Sequence, residues 1–189
     1  MDKADFKEQY PKEIILKDGT GVSIRPLDIN RDKAELKKLY MRFTREERWF
    51  LKFDLSEERR LNEFFKNYDE ENIYSLISKL ENRIIAHATV EIGKNLSRRH
   101  IGEVEISVDP AFRERYLGTW ILFDIINYAI YRGLEILYME LIQGKDQILI
   151  SGVEKLGFKK EGVIMGILKD MEGSFRDLYI MVKRLKIID

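Results

Sequence analysis

The sequence predicts a mixed α+β fold in which one central sheet is flanked by helices. Between residues 104 and 108, apolar and polar side chains alternate, which is the period of a half-buried strand. Between residues 120 and 130, apolar residues recur three and four positions apart, which is typical of a helix with a broad buried face. Turn dipeptides such as Asp18-Gly19 and Glu172-Gly173 join neighbouring strands as hairpins, so most of the sheet is expected to be antiparallel.

In chain order the patterns predict a strand, two or three helices, three strands, a helix, a strand, a helix and two last strands. Residues 1–12 are charged and are expected to form a flexible N-terminal arm, and 13–189 are expected to form a single domain. Thr44 and Glu47 form a predicted capping box. Asp146 is expected to cap the helix that follows it.

The composition excludes several classes of function. The chain has 33 basic and 33 acidic residues, so its overall charge gives no reason to expect a nucleic acid or an anionic membrane as partner. It has no cysteine and therefore no disulfide, thiolate nucleophile or thiolate metal site. The N-terminus is too polar for a signal peptide, and no apolar run reaches the roughly 20 residues of a membrane span. We therefore expect a soluble cytoplasmic protein.

The segment from Gly102 to Gly133 predicts an anion-binding site. Asp109 and Pro110 end its strand, because proline has no N–H for a ladder. A loop with two arginines follows and leads into the long helix. The first turn of a helix presents unpaired N–H groups and the positive end of its dipole, so a phosphate group is the natural ligand.

The loop sequence VDPAFRERYLGT, at 108–119, resembles the coenzyme A loop of the GNAT N-acetyltransferases. The usual form in that family is V-x-P-x-[YF]-R-G-x-G-x-G before a long helix, and Glu114 and Tyr116 replace two of its glycines. A second segment, 134–162, resembles the family's later strand and its helix ending in K-L-G-F. The stretch YMRFTREERWFLKF, at 40–53, is similar to the GNAT domains of protein lysine acetyltransferases. The resemblance covers residues 13–185.

The resemblance implies a mostly antiparallel mixed sheet of six to seven strands that splays between the strands at 103–108 and 136–142. It implies acetyl-CoA as co-substrate, with its pantetheine arm along the first of these strands. The residues expected to bind the cofactor are Ile106, Val108, Arg113, Arg115, Tyr116, Leu117, Gly118 and Thr119. Glu114 is expected to point to solvent, and the backbone of Tyr116 is expected to avoid positive φ.

Glu103 and Glu105 are the candidate catalytic residues. An amine acceptor arrives as an ammonium with a pKa near ~10.4 and must lose a proton before it attacks a thioester. In the lysine acetyltransferase branch the glutamate that accepts this proton matches Glu103, which is therefore preferred over Glu105. Val153 stands where the family often has a tyrosine acid. The two histidines, His87 and His100, lack partners for a metal site, so no metal is expected.

The predicted function is direct transfer of an acetyl group from acetyl-CoA to a primary amine in a ternary complex, with a protein lysine as the first choice of acceptor. Two alternatives remain open. One is an N-acetyltransferase that acts on a small-molecule amine. The other is a catalytically weakened module that binds a partner or senses coenzyme A, which Glu114, Tyr116 and Val153 would favour. We expect a monomer or a homodimer.

Overall fold

The computed structural model describes Phe6 and residues 9–185. Its strands are β1 (Lys12–Ile15), β2 (Gly21–Pro26), β3 (Ile73–Leu80), β4 (Arg83–Ile92), β5 (Ile101–Val108), β6 (Ile136–Ile142), β7 (Lys159–Lys169) and β8 (Phe175–Arg184). Its helices are α1 (Lys33–Met41), α2 (Arg45–Trp49), α3 (Glu58–Lys66), α4 (Leu117–Tyr131) and α5 (Gln147–Lys155).

In the described residues, eight strands form one sheet in the order β1-β2-β3-β4-β5-β6-β8-β7. All neighbours in this order are antiparallel except β5 and β6, which run parallel. The predicted mixed, mostly antiparallel sheet is therefore confirmed. It has eight strands instead of six or seven, because both arms of the first hairpin pair with neighbours.

Apolar side chains pack on both faces of the sheet. Consecutive residues of a strand point to opposite faces, and accordingly Ile84 belongs to one core and Ile85 to the other. The smaller core joins α1 and α3 to the sheet, and the larger core joins α4 and α5 to it. Both faces of the central strands are covered, which explains why residues 84–90 of β4 are buried throughout.

Local sequence signals explain how two of the helices begin. Thr44 and Glu47 form the predicted capping box at the start of α2. Asp146 occupies the N-cap position of α5, but its side chain makes no capping bond and accepts a hydrogen bond from the Ile142 N–H instead. The carboxylate therefore fixes the end of β6, which a local capping rule does not predict.

Part of the expected N-terminal arm packs against the domain. Phe6 is buried, and its ring stacks on Tyr131 with a centroid separation of 5.2 Å. The expectation of a loose arm is wrong for this residue, because burying an aromatic ring offsets the loss of chain entropy. Residues 1–5, 7 and 8 of that arm lie outside the described residues.

Candidate functional site

β5 and β6 separate partway along their length. Their pairing is limited to three positions and ends where Glu103 lies opposite Tyr138. Beyond this point β5 continues beside β4, and β6 continues beside β8. The facing edges of 104–108 and 139–142 are therefore not paired with each other, and they leave a cleft lined by backbone polar groups. The predicted splay between these two strands is confirmed.

The first turn of α4 lies against the part of β5 that borders this cleft. A Cβ atom added to Gly118 would stand 3.6 Å from Ile106 Cδ1 and 3.7 Å from Val108 Cγ2. The helix begins at Leu117, and Tyr116 at its N-cap position makes no side-chain capping bond. The N–H groups of the first turn, including those of Leu117, Gly118 and Thr119, therefore lack this cap. The structure thus brings the predicted loop and the predicted strand residues together at one place.

The loop before α4 has the backbone of a glycine loop without the glycines. Glu114 and Tyr116 adopt φ angles of 60° and 66°, in the left-handed region. The expectation that Tyr116 avoids positive φ is therefore wrong. This conformation costs an L-residue roughly 1–2 kcal/mol and persists only where the surrounding structure imposes it. Glu114 is exposed, as expected, and the side chain of Tyr116 also points to solvent.

Both arginines of the loop are paired with carboxylates. Arg113 contacts Glu47 Oε1 at 2.5 Å and also donates to the Val108 carbonyl oxygen. Arg115 forms an ion pair with Asp18, in the turn between β1 and β2. These ion pairs hold the two guanidinium groups close to Glu47 and Asp18. A bound phosphate would compete with Glu47 and Asp18 for the two guanidinium groups.

Glu103 and Glu105 lie on the opposite face of β5 from Ile106 and Val108, as their alternation predicts. Glu103 Oε1 accepts a hydrogen bond from Lys52 Nζ at 2.6 Å, and Glu103 Oε2 accepts one from the Tyr138 hydroxyl at 2.8 Å. Lys52 Nζ also lies 3.6 Å from Glu105 Oε1. One ammonium is therefore shared between the two candidate catalytic carboxylates.

The two glutamates have different surroundings. Glu103 lines an open groove of about 730 Å³ that continues along β6 and β8 to Arg184. Glu105 lines a small cavity of about 10 Å³ together with Tyr40, His87 and Ser107. Burial, and to a lesser degree the nearby charge of Glu103, raise the pKa of Glu105 to about 7, while Lys52 opposes this shift. Glu105 therefore titrates near neutral pH.

Several other groups around the site have shifted pKa values. Burial opposes the charged form of Lys52, but its hydrogen bond to Glu103 and the nearby carboxylates prevail and raise its pKa. Burial and the hydrogen bond to Glu103 raise the pKa of Tyr138, so its hydroxyl stays protonated. His87 is buried, its Nδ1 lies 2.9 Å from the Tyr40 hydroxyl, and burial lowers its pKa to about 4.

Sequence reasoning missed Lys52 and Tyr138. Lys52 follows α2 and meets Glu103 only through the tertiary fold. Tyr138 meets Glu103 because β5 and β6 are parallel neighbours in this register. Alternation along β6 could have placed Tyr138 on the less buried face of that strand. It could not have shown that Glu103 is the residue opposite. Val153 is fully buried, and its hydrocarbon side chain has no proton to donate.

The described residues contain neither a metal-binding cluster nor a membrane-spanning helix. No group of three or more histidine, cysteine, aspartate or glutamate side chains is arranged to hold a metal ion in Phe6 and 9–185. In the same part of the chain, none of the helices is long and apolar enough to span a membrane.

Comparison with known proteins identifies related sequences. The sequence model of the acetyltransferase (GNAT) family matches residues 35–158, which include the splayed strands and the loop before α4. A curated relative is an uncharacterised N-acetyltransferase of Methanocaldococcus jannaschii, which is 38% identical over 77 residues. That match covers 40% of this chain and 33% of the relative, so the chain spans about a third of the length of the curated relative it matches.

Solved structures share the fold. The GNAT domain of S. lividans PAT superposes with a TM-score of 0.75 at 18% identity, covering 98% of this chain and 100% of that one. A GNAT-family acetyltransferase from Streptococcus pneumoniae superposes with a TM-score of 0.73 at 22% identity, covering 87% of this chain and 99% of that one. The yncA protein of Salmonella typhimurium was solved with its cofactor acetyl-CoA. It superposes with a TM-score of 0.72 at 20% identity, covering 87% of this chain and 94% of that one.

Proposed function

The chain belongs to the acetyltransferase (GNAT) family, and from this premise we propose that it transfers an acetyl group from acetyl-CoA to a primary amine. One observation carries the proposal. β5 and β6 separate after Glu103 and Tyr138, and the uncapped first turn of α4 lies against Ile106 and Val108, on the part of β5 beyond that point. The cleft offers backbone donors and acceptors to an extended ligand, and the helix terminus offers N–H groups to a diphosphate.

The residues around the cleft suit the parts of acetyl-CoA that they would contact. Ile106 and Val108 line the side of β5 that meets α4, where they would contact the pantetheine arm. The N–H groups from Tyr116 to Thr119 would donate to the diphosphate, and Arg113 and Arg115 would neutralise its charge after exchanging their carboxylate partners. Acetyl-CoA supplies an acetyl group activated as a thioester.

Glu103 is the proposed general base. Its carboxylate faces the open groove, whereas Glu105 faces the small cavity. Glu103 accepts the proton of the incoming ammonium, and the free amine then attacks the thioester carbonyl carbon. Backbone N–H groups of β5 stabilise the negative charge that develops on the carbonyl oxygen. Tyr138 donates to Glu103 and so positions the carboxylate.

Glu105 tunes this reaction. Its carboxyl has a pKa of about 7, so its charge changes near neutral pH. When Glu105 is ionised, its negative charge favours the ammonium form of a nearby amine. The proposed scheme needs no acid at Val153, because the thiolate of coenzyme A is a tolerable leaving group.

A protein lysine is the first proposed acceptor, and a small-molecule amine is the second. The groove beside Glu103 carries charges of both signs, including Glu91, Arg98, Glu161 and Arg184. This mixture suits an extended peptide that presents a lysine, since a peptide has polar groups along its length. The cytoplasmic location expected from the sequence stays a prediction.

A coenzyme A-binding module without efficient transfer is the second candidate function. Glu114 and Tyr116 favour it, since they stand in left-handed backbone where the family has glycines. The negative charge of Glu114 repels a diphosphate and so weakens the electrostatic attraction of the loop for it. Such a module would bind acetyl-CoA but would release no thiol when amines are added.

The test combines a binding assay and a transfer assay. Acetyl-CoA at about a hundred times its dissociation constant should raise the melting temperature by roughly 5 °C or more, by linkage. A free-thiol readout with a panel of amines and lysine peptides then reports transfer. No melting shift at millimolar acetyl-CoA would contradict the proposal, and a shift without thiol release would favour the binding module.

Two matched variants test the base. Glu103→Gln should lower turnover about a hundredfold while leaving cofactor affinity near normal. Glu140→Gln is the control, because Glu140 is an exposed glutamate on the neighbouring strand β6. Equal losses in the two variants, or unchanged turnover in Glu103→Gln, would remove Glu103 from this role.

A further inference from the structure

One primary ammonium of the chain already occupies the position proposed for the acceptor amine. Lys52 Nζ lies 2.6 Å from Glu103 Oε1, 3.6 Å from Glu105 Oε1 and 3.8 Å from Glu91 Oε2. These carboxylates lie on the adjacent strands β4 and β5, on the face away from α4. Three acidic groups around one ammonium form a site that suits a primary amine.

The Lys52 side chain is accessible to solvent from the open groove. Lys52 belongs to the segment between α2 and α3, and its side chain is 39% exposed. Its ammonium lies at the wall of the open groove, 5.4 Å from the centroid of the Phe53 ring. Solvent in the groove screens part of this ion pair, so its contribution to stability is smaller than that of an enclosed pair.

We propose that Lys52 is a modification site, acetylated by its own chain. This inference rests on the proposed function, because it requires Glu103 to act as the base. A base takes a proton from a group within hydrogen-bond reach, and Lys52 Nζ is the amine that the structure holds at that distance from Glu103. The site thus selects a lysine-like acceptor, with Lys52 as its internal example.

The reaction balances without any further reactant. A proton moves from Lys52 Nζ to Glu103, and the nitrogen lone pair forms a C–N bond to the acetyl carbonyl carbon. The C–S bond breaks, and coenzyme A leaves as a thiolate that takes up a proton. The sum converts a lysine ammonium and acetyl-CoA into acetyl-lysine, coenzyme A thiol and one released proton.

Acetylation of Lys52 would change the site itself. The product amide carries no charge, so Glu91, Glu103 and Glu105 would lose their shared counterion. Three uncompensated carboxylates attract a new cation more strongly than three neutralised ones. The acetylated chain should therefore bind an external ammonium acceptor more tightly than the unmodified chain does, seen as a KM lower by several-fold.

Mass spectrometry of the full chain tests the proposal. After incubation with acetyl-CoA alone, we expect one acetyl group per chain, which peptide mapping assigns to Lys52. Lys94, which lines the same groove, is the internal control for uncatalysed acetylation and should stay unmodified. The rate constant per chain should not depend on protein concentration, because donor site and acceptor belong to one molecule.

Variants separate catalysis from chemical background. Lys52→Arg keeps the positive charge and should remove the modification. Glu103→Gln should slow Lys52 acetylation about a hundredfold, and Glu105→Gln provides a second carboxylate variant if the first does not fold. Acetylation of Lys52 and Lys94 at similar rates, or a Lys52 rate unaffected by either glutamate variant, would overturn the proposal.

The same samples distinguish this inference from the proposed function. Transfer to an external amine, read by thiol release, while Lys52 stays unmodified would overturn self-acetylation and leave the acetyltransferase activity standing. Absence of both reactions in a chain that binds acetyl-CoA would overturn both. Lys52 acetylation that depends on Glu103 would support both.

Discussion

The His87 imidazole and the Glu105 carboxyl line the same small cavity, and burial moves their pKa values in opposite directions. His87 has a pKa of about 4 in the folded chain, below its usual 6.5. Glu105 has a pKa of about 7, above its usual 4.5. Each group favours its neutral form in the native state, as burial in a low-dielectric environment requires.

The first prediction concerns the pH dependence of stability. Between about pH 4 and 6.5 the unfolded chain binds a proton at His87 that the native chain does not, so this group makes stability rise with pH. Between about pH 4.5 and 7 the native chain keeps a proton on Glu105 that the unfolded chain releases, so this group makes stability fall with pH. The two contributions oppose each other where the windows overlap.

Single variants should uncover each contribution. Glu105→Gln should make the protein lose stability on acidification from about pH 6.5 to 4, by an amount on the order of 3 kcal/mol at most. His87→Gln, whose side-chain amide can hydrogen-bond to the Tyr40 hydroxyl, should lose stability as pH rises from about 4.5 to 7. Urea denaturation across this range measures both, and parallel curves for the two variants would contradict the assignment.

A second prediction follows from the left-handed backbone at Tyr116. Tyr116→Gly should raise the free energy of unfolding by about 1 kcal/mol, because glycine adopts φ of 66° without the Cβ clash. Tyr116 is 57% exposed, so little packing is lost. Tyr116→Ala is the matched control: it removes the ring but keeps the strain, and it should not be stabilised. Chemical denaturation reports both values.

A third prediction concerns competition for Arg113. Glu47→Gln should tighten acetyl-CoA binding about threefold to tenfold, because it removes the charged partner that holds Arg113 beside the loop. Glutamine still satisfies the capping box with Thr44, so α2 should remain intact. Glu46→Gln makes a neighbouring charge change and should leave the affinity unchanged. Calorimetric titration measures the affinity for acetyl-CoA. Weaker binding in Glu47→Gln would rule out the proposal that Arg113 exchanges Glu47 for the diphosphate.

A fourth prediction concerns the carboxylate that ends β5. Asp109 is buried and receives hydrogen bonds from Arg42 Nε and Arg83 at 2.6 Å each, and from the Ala111 N–H. Asp109→Asn leaves two guanidinium groups without their counterion and should cost about 2–4 kcal/mol of unfolding free energy. Asp28→Asn, at a more exposed ion pair, should cost well under 1 kcal/mol in the same urea titration.

The order of elements was predictable because it depends on local patterns. Alternation marked β5, helical spacing marked α4, and the Asp18-Gly19 turn marked the first hairpin, and each agrees with the structure. The face shared by Glu103 and Glu105 followed from strand period alone. The site was less predictable where it depends on contacts between distant segments. Lys52 reaches Glu103 across 51 positions of sequence.

The left-handed loop shows why a local rule failed. An isolated tyrosine avoids positive φ, and that preference is worth roughly 1–2 kcal/mol. Leu117 anchors the helix that follows in the core, and Arg115 is fixed by Asp18 and by its carbonyl oxygen, which accepts from the Lys17 N–H. These contacts impose the conformation on the residue between them, because their combined energy exceeds the local preference.

By itself the sequence determined which segments form strands and helices, where an arginine-bearing loop precedes a long helix, and which two glutamates share a face of β5. Those features follow from side-chain period and turn chemistry over a few neighbouring residues. Only the tertiary structure decided at which residue pair β5 and β6 separate, that Glu105 has a pKa of about 7, and that Lys52 contacts both glutamates. Strand separation, burial and ion pairing depend on groups far apart in the chain, and their energies exist only once the fold brings them together.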